Sequence, residues 1–224
     1  MEKLTARLEQ IAEKARASLS TKDAAREKAL RFSRDTVRYS ADAIRSVHRG
    51  DYEEARSRLT AANALLKEID EALVDHPQFL YSGFVFSAQK EYVEGCITLG
   101  LITGNSIPDP DELGIDYAAY LNGLGEAIGE LRRHVLDLIR KGDIARCEEV
   151  LAAMDDMYGV MVTMDFPEAM TGGLRRTTDA VRGILERTRG DLTIAFRQWD
   201  LEEKLAAFEE RLGTSGQFSK NDSP

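Results

Sequence analysis

Apolar residues recur along this chain at intervals of three and four, sustained over runs of about twenty residues. That is the period of helices with one buried face. The stretch from Thr21 to about Arg49 carries Leu30, Val37, Ala41, Ile44 and Val47 in this register. The preceding segment, roughly 2 to 19, is amphipathic but heavily charged, and reads as a short helix of its own. Thr21 then reads as an N-cap, because a hydroxyl before Lys-Asp-Ala-Ala-Arg-Glu can satisfy the first free amides. Gly50 closes that helix and Asp51 opens another, to about Val74. His76-Pro77 marks a turn, and a helix from Phe79 to about Thr103 follows. The two prolines of Gly104-Asn-Ser-Ile-Pro-Asp-Pro-Asp111 hold a loop open. Asp116 starts a helix ending near Lys141, the Gly142-Asp143 corner starts one over about 143 to 164, and a last long helix spans about 174 to 212. A third Gly-Asp pair, Gly190-Asp191, falls inside that helix, where a continuation or kink is expected. The unequal spacing of the Gly-Asp junctions argues against a helical repeat array.

The pattern predicts an all-α fold, a single-domain bundle of six to seven helices over 1–213, with a disordered tail over 214–224, where apolar spacing stops. Length and a 43% hydrophobic content allow one large core without disulfides. Cys96 and Cys147 stand far apart in apolar runs and form no ligand pattern, so both read as core residues in a reducing cytoplasm. No segment resembles a secretion signal or a membrane span, so a cytoplasmic location without membrane contact is expected. The net charge of −9 excludes a global attraction for nucleic acid, and a nucleic-acid function needs a local basic surface. No Walker A loop, Gly-x-Gly-x-x-Gly or nucleophile elbow occurs.

Two pairs of glutamates change this picture. Glu91 and Glu94 are three apart in Lys-Glu-Tyr-Val-Glu-Gly; Glu126 and Glu130 are four apart in Gly-Leu-Gly-Glu-Ala-Ile-Gly-Glu-Leu. Each spacing puts two carboxylates on one helix face. Apolar neighbours such as Val93, Ile97, Leu124 and Ile128 turn these faces toward a groove, where gathered carboxylates need a compensating charge. A divalent cation with oxygen ligands, Mg²⁺ or Mn²⁺, meets that need. Two solvated helix faces remain the alternative. A ferritin-like di-iron centre is disfavoured, because no histidine has a glutamate three residues before it. His134 follows Glu130 by four residues and can meet it on the same helix.

A basic stripe is the second feature. Arg31, Arg34, Arg38 and Arg45 occupy a narrow sector beside the apolar face of one helix, suited to tracking phosphates, with Glu27, Asp35 and Asp42 near enough to pair with them instead. A third cluster, Arg175, Arg176, Arg182, Arg187 and Arg189, is interleaved with acids and reads as a salt-bridged face or subunit contact. Trp199 reads as a packing anchor or subunit contact.

Gln89-Lys-Glu-Tyr-Val-Glu94 resembles the Gln-Glu-Tyr-Val-Glu signature of the translin/Trax family, on the Trax side. Phe32-Ser-Arg-Asp-Thr-Val-Arg38 resembles its Leu-Ser-Arg-Asp segment, Gly123 to Asp143 its Gly-Glu-Leu segment and the corner beyond, and Asp156 to Thr188 its later Leu-Arg-Arg-Lys region. The resemblance spans about 25 to 192. It implies a helical protomer assembling into a hollow, octamer-like homo-oligomer that binds single-stranded or structured RNA, and single-stranded DNA, inside its shell. It implies a metal-dependent endoribonuclease site on Glu91, Glu94, Glu126 and Glu130, served by Mg²⁺ or Mn²⁺. The sequence departs from the pattern at Glu126, where the family's catalytic subunit has aspartate. That departure keeps open a non-catalytic binding protein of translin type.

Overall fold

The first two predicted helices are one. The computed structural model describes residues 2–215, with side chains over 3–211, and its first helix, α1, runs unbroken over Glu2–Arg49. Thr21 is therefore not a cap. Its hydroxyl donates to the Ala17 carbonyl at 3.0 Å, one turn back, so the group that caps a helix from outside is satisfied within one. After Gly50, at φ 83°, α2 covers Tyr52–Leu73; Asp51 holds the N-cap position but spends its side chain on Arg49 instead of the helix amides. A 3₁₀ turn over Pro77–Phe79 leads to α3, Gly83–Ile102, which starts four residues later than the Phe79 start expected. The proline loop contains a one-turn helix, α4, Pro110–Leu113: Asp109 accepts from the Glu112 amide and Glu112 accepts back from the Asp109 amide. Pro110 opens this turn, because a first-turn residue needs no amide hydrogen.

α5, Tyr117–Lys141, is capped by Asp116 and stopped by Gly142; α6, Ile144–Val162, is capped by Asp143. The one-turn α7, Glu168–Thr171, precedes α8, Leu174–Ser215, which passes straight through Gly190-Asp191. Asp191 instead accepts from Arg132 at 2.7 Å, tying α8 to α5. The described residues form helices and connecting turns, with no strand among them. The tail expected over 214–224 lies outside the described residues, except Thr214 and Ser215 at the end of α8.

α3 and α5 form the centre: α1 packs on α2 and α3, α3 on α5, and α5 on α6 and α8. The residues sealing this centre, among them Val93, Ile97, Ile128 and Leu131, are fully buried. Each such aliphatic side chain contributes about 1.5–3 kcal/mol by leaving water. The α3–α5 approach depends on Gly123. A Cβ there would lie 2.6 Å from the Lys90 carbonyl oxygen and 2.8 Å from Val93 Cβ. Cys147 is buried and Cys96 partly so, both unpaired by disulfide, in keeping with the core role expected.

One buried polar side chain locks the corner after α6. Asn122 on α5 donates to the carbonyls of Ala118 and Thr171, each at 2.8 Å, and accepts from the Thr177 hydroxyl at 2.7 Å. Asn122→Ala would leave the Thr171 carbonyl and the Thr177 hydroxyl without these partners. We expect a loss of about 2–3 kcal/mol, read as a lower urea midpoint at unchanged slope. A loss below the error of that measurement would mean water replaces the amide without cost.

Candidate functional site

Close contact across Gly123 sets α3 and α5 side by side, and three of the four glutamates meet at that seam. Glu91 and Glu94 of α3 and Glu126 of α5 each offer a carboxylate oxygen, all within 4.8 Å of one another. They line a groove of about 520 Å³ with Arg176, Thr177, Ala180, Val181 and Ile184 of α8. Gly125 forms part of its wall, where a Cβ would collide with Thr177 Cγ2 at 2.4 Å and Met161 Cε at 2.8 Å.

Electrostatics in the seam are unfavourable for three bare charges. Burial, then the facing charges of Glu91, Glu126 and Glu130, push the Glu94 carboxyl up to about 8. Burial and then Glu126 also raise Glu91. Lys90 relieves part of this, donating from Nζ to Glu126 Oε1 at 2.6 Å. An oxygen-only set of this kind, with repulsion remaining after the lysine is counted, fits a hard divalent cation.

Glu130 stands apart from this trio. Its Oε2 lies 2.5 Å from His48 Nε2, near the end of α1, with Arg133 at 3.8 Å. That hydrogen bond is the main cause holding the Glu130 carboxyl below its ordinary value. Glu130's partner is thus His48, 82 residues away, and not the neighbouring His134. His48's side chain is only 4% exposed, and its Nδ1 is buried without a hydrogen-bond partner.

The arginine stripe lies elsewhere. Arg31, Arg34, Arg38 and Arg45 are all exposed along α1 and do not line the carboxylate groove. Arg38 pairs with Asp35 at 3.0 Å and Arg45 with Asp42. Arg31 sits over the Phe32 ring at 5.3 Å, and Arg38 and Arg58 over Tyr39 at 5.4 and 5.7 Å. Sequence reasoning did not find Lys90, His48 or Arg176 as parts of the glutamate site. The contacts of Lys90 and His48 join residues 36 and 82 apart, and Arg176 sat in a cluster that also suited a plain surface. No helix among the described residues is long and apolar enough to cross a membrane.

No protein-family model matches the chain. It is 33% identical over 189 residues to an uncharacterised protein, MJ0175, of Methanocaldococcus jannaschii, covering 84% of this chain and 83% of that protein. Among solved structures, AfC3PO in complex with duplex RNA is similar with a TM-score of 0.74 and 32% identity, over 84% of this chain and 97% of that one. The crystal structure of AfC3PO gives 0.73 at the same identity, and apo-NeC3PO gives 0.68 at 26% identity over 84% of this chain and 96% of that one.

Proposed function

Since this chain belongs to the translin/Trax family, we propose that it is a metal-dependent endoribonuclease acting on single-stranded or loosely structured RNA within a homo-oligomeric, octamer-like shell. The observation that carries the reading is the convergence of Glu91, Glu94 and Glu126 within 4.8 Å in an accessible groove. The similar AfC3PO, solved with duplex RNA, supports contact with RNA. Glu91, Glu94 and Glu126 would hold Mg²⁺ or Mn²⁺. When bound, the cation supplies Lewis-acid polarisation of a phosphate and a lowered pKa for a coordinated water. Glu130, one turn along α5 from Glu126, is the candidate general base: His48 fixes one of its oxygens and keeps it ionised, leaving the other to accept a proton from the attacking water. Arg31, Arg34, Arg38 and Arg45 contribute phosphate contacts along α1, sequence-independent and salt-sensitive.

Lys90 favours a second reading. Its ammonium already neutralises Glu126, so the trio can persist without a cation, as in a protein that binds single-stranded RNA or DNA without turnover. One assay separates the two. End-labelled single-stranded RNA is incubated with the protein in Mn²⁺, Mg²⁺ or EDTA, with retention measured in parallel. Fragments in Mn²⁺ or Mg²⁺ alone are expected. Equal cutting in EDTA overturns the metal-dependent reading; salt-sensitive retention without fragments after prolonged incubation leaves the binding protein.

A further inference from the structure

Beside the carboxylate groove lies a larger space of about 820 Å³, between the end of α6, the corner after it and the start of α8. A volume of that size accommodates a nucleobase with its sugar. Two aromatic rings line it. Phe166, at the corner, is 58% exposed although apolar, and Tyr158 on α6 packs by one side against the core. An aromatic ring exposed in a concavity presents a face on which a flat ligand group can stack.

The two cavities share a thin wall. Met161 lines the larger one and touches Gly125, which lines the carboxylate groove. On α8, Arg175 and Thr178 face the larger cavity, whereas Arg176 and Thr177 face the groove. Neighbouring residues of one helical turn thus serve both spaces, which places them within a single nucleotide's reach.

Charge sorts what each can take. The larger cavity presents Asp165, Glu168 and Asp179 against Arg175, a balance that repels a phosphate. A carboxylate accepts from the exocyclic amine of cytosine and repels the carbonyl that uracil has in its place. Arg176, by contrast, is positioned beside the glutamates to pair with a phosphate oxygen.

We propose that this cavity is a nucleobase subsite: it receives one unpaired base, preferentially one bearing an exocyclic amine, adjoining a phosphate that pairs with Arg176 at the neighbouring groove. The base stacks on Phe166 and Tyr158, and the site thereby selects unpaired nucleotides. The assignment rests on the RNA reading above and adds to it a determinant of substrate choice.

The test is binding of the full chain, in EDTA, to short single-stranded RNAs carrying 2-aminopurine at one position in turn. In one register the probe should be quenched by stacking, and Phe166→Leu, which keeps apolar area but removes the ring, should abolish that quenching. Affinity should fall about tenfold, the worth of one stacked base. Oligocytidine should bind more tightly than oligouridine, and Asp179→Asn should narrow the difference. Light scattering should give both variants the parent's particle mass. Unchanged quenching in Phe166→Leu overturns the subsite, as does a changed particle mass, which would make Phe166 a subunit contact. If the parent protein retains no RNA at all, the RNA reading itself falls. If it binds RNA and Phe166→Leu binds identically, only the subsite falls.

Discussion

Glu94→Gln should abolish RNA cleavage, by about 100-fold or more, while leaving the metal-free protein at least as stable as the parent. The reasoning follows from where the charge sits. Glu94 is the most strongly perturbed of the converging carboxyls, raised to about 8 first by burial and then by Glu91, Glu126 and Glu130. A folded-state value above the ordinary 4.5 means that the protonated form favours the fold. Stability from this group is fully present below about pH 4.5 and is lost as pH rises through about 8. Glutamine mimics the protonated carboxyl in shape and charge. The variant should therefore lose this pH dependence and match or exceed the parent at pH 8 without metal. Added Mn²⁺ should raise the melting temperature of the parent, since it binds the folded state alone, and should raise that of Glu94→Gln much less. Thermal melts at pH 5 and pH 8, with and without Mn²⁺, measure all of this. Strong destabilisation of the metal-free variant would make Glu94 a structural ion-pair partner and move the site elsewhere. Glu126→Ala should abolish cleavage too, and it also leaves Lys90 without the carboxylate it donates to.

Gly123→Ala is the second large effect expected, and its cause is mechanical. The added methyl would lie 2.6 Å from the Lys90 carbonyl oxygen and 2.8 Å from Val93 Cβ. Backbone and a branched core side chain cannot turn aside, so α3 and α5 must separate. Overpacking of this kind costs about 1–3 kcal/mol or more. The same separation withdraws Glu126 from Glu91 and Glu94, so Mn²⁺ affinity should fall together with stability. Gly129→Ala on the same helix is the control. A Cβ there meets nothing within 4 Å, and replacing a mid-helix glycine should stabilise by about 0.5–1 kcal/mol. Denaturant midpoints shifting in opposite directions for the two variants are the expected result. Equal shifts would mean that the close approach at Gly123 is not rigid.

Features encoded within a few residues were legible in the sequence. Asp116 and Gly142 bound α5 as expected, because a cap and a left-handed stop are made by the residues themselves. The glutamate pairs were legible as faces, since helical spacing alone puts two carboxylates together; the translin-like pattern led to the expectation of all four in one site, of which the structure brings Glu91, Glu94 and Glu126 together. What spacing could not show is how two faces meet. Glu130 shares its helix with Glu126, yet its partner comes from the end of α1, a contact settled by tertiary packing. Thr21 misled for a related reason. A threonine satisfies its hydroxyl equally well as a cap or against the turn behind it, and nothing local chooses between them. The cavity beside Phe166 was invisible because it is an absence of atoms among three separate segments.

The unbroken course of α1 makes its first turns a rigid arm. At 1.5 Å per residue its 48 residues form a rod about 72 Å long, with the arginine stripe in its C-terminal half and His48 near its end. A joint at Thr21 would have let the charged first segment swing freely. Without one, that segment, exposed at nearly every position from 3 to 21, projects as a stiff continuation of the half packed on α2 and α3 and carries its charges at a fixed angle to the bundle.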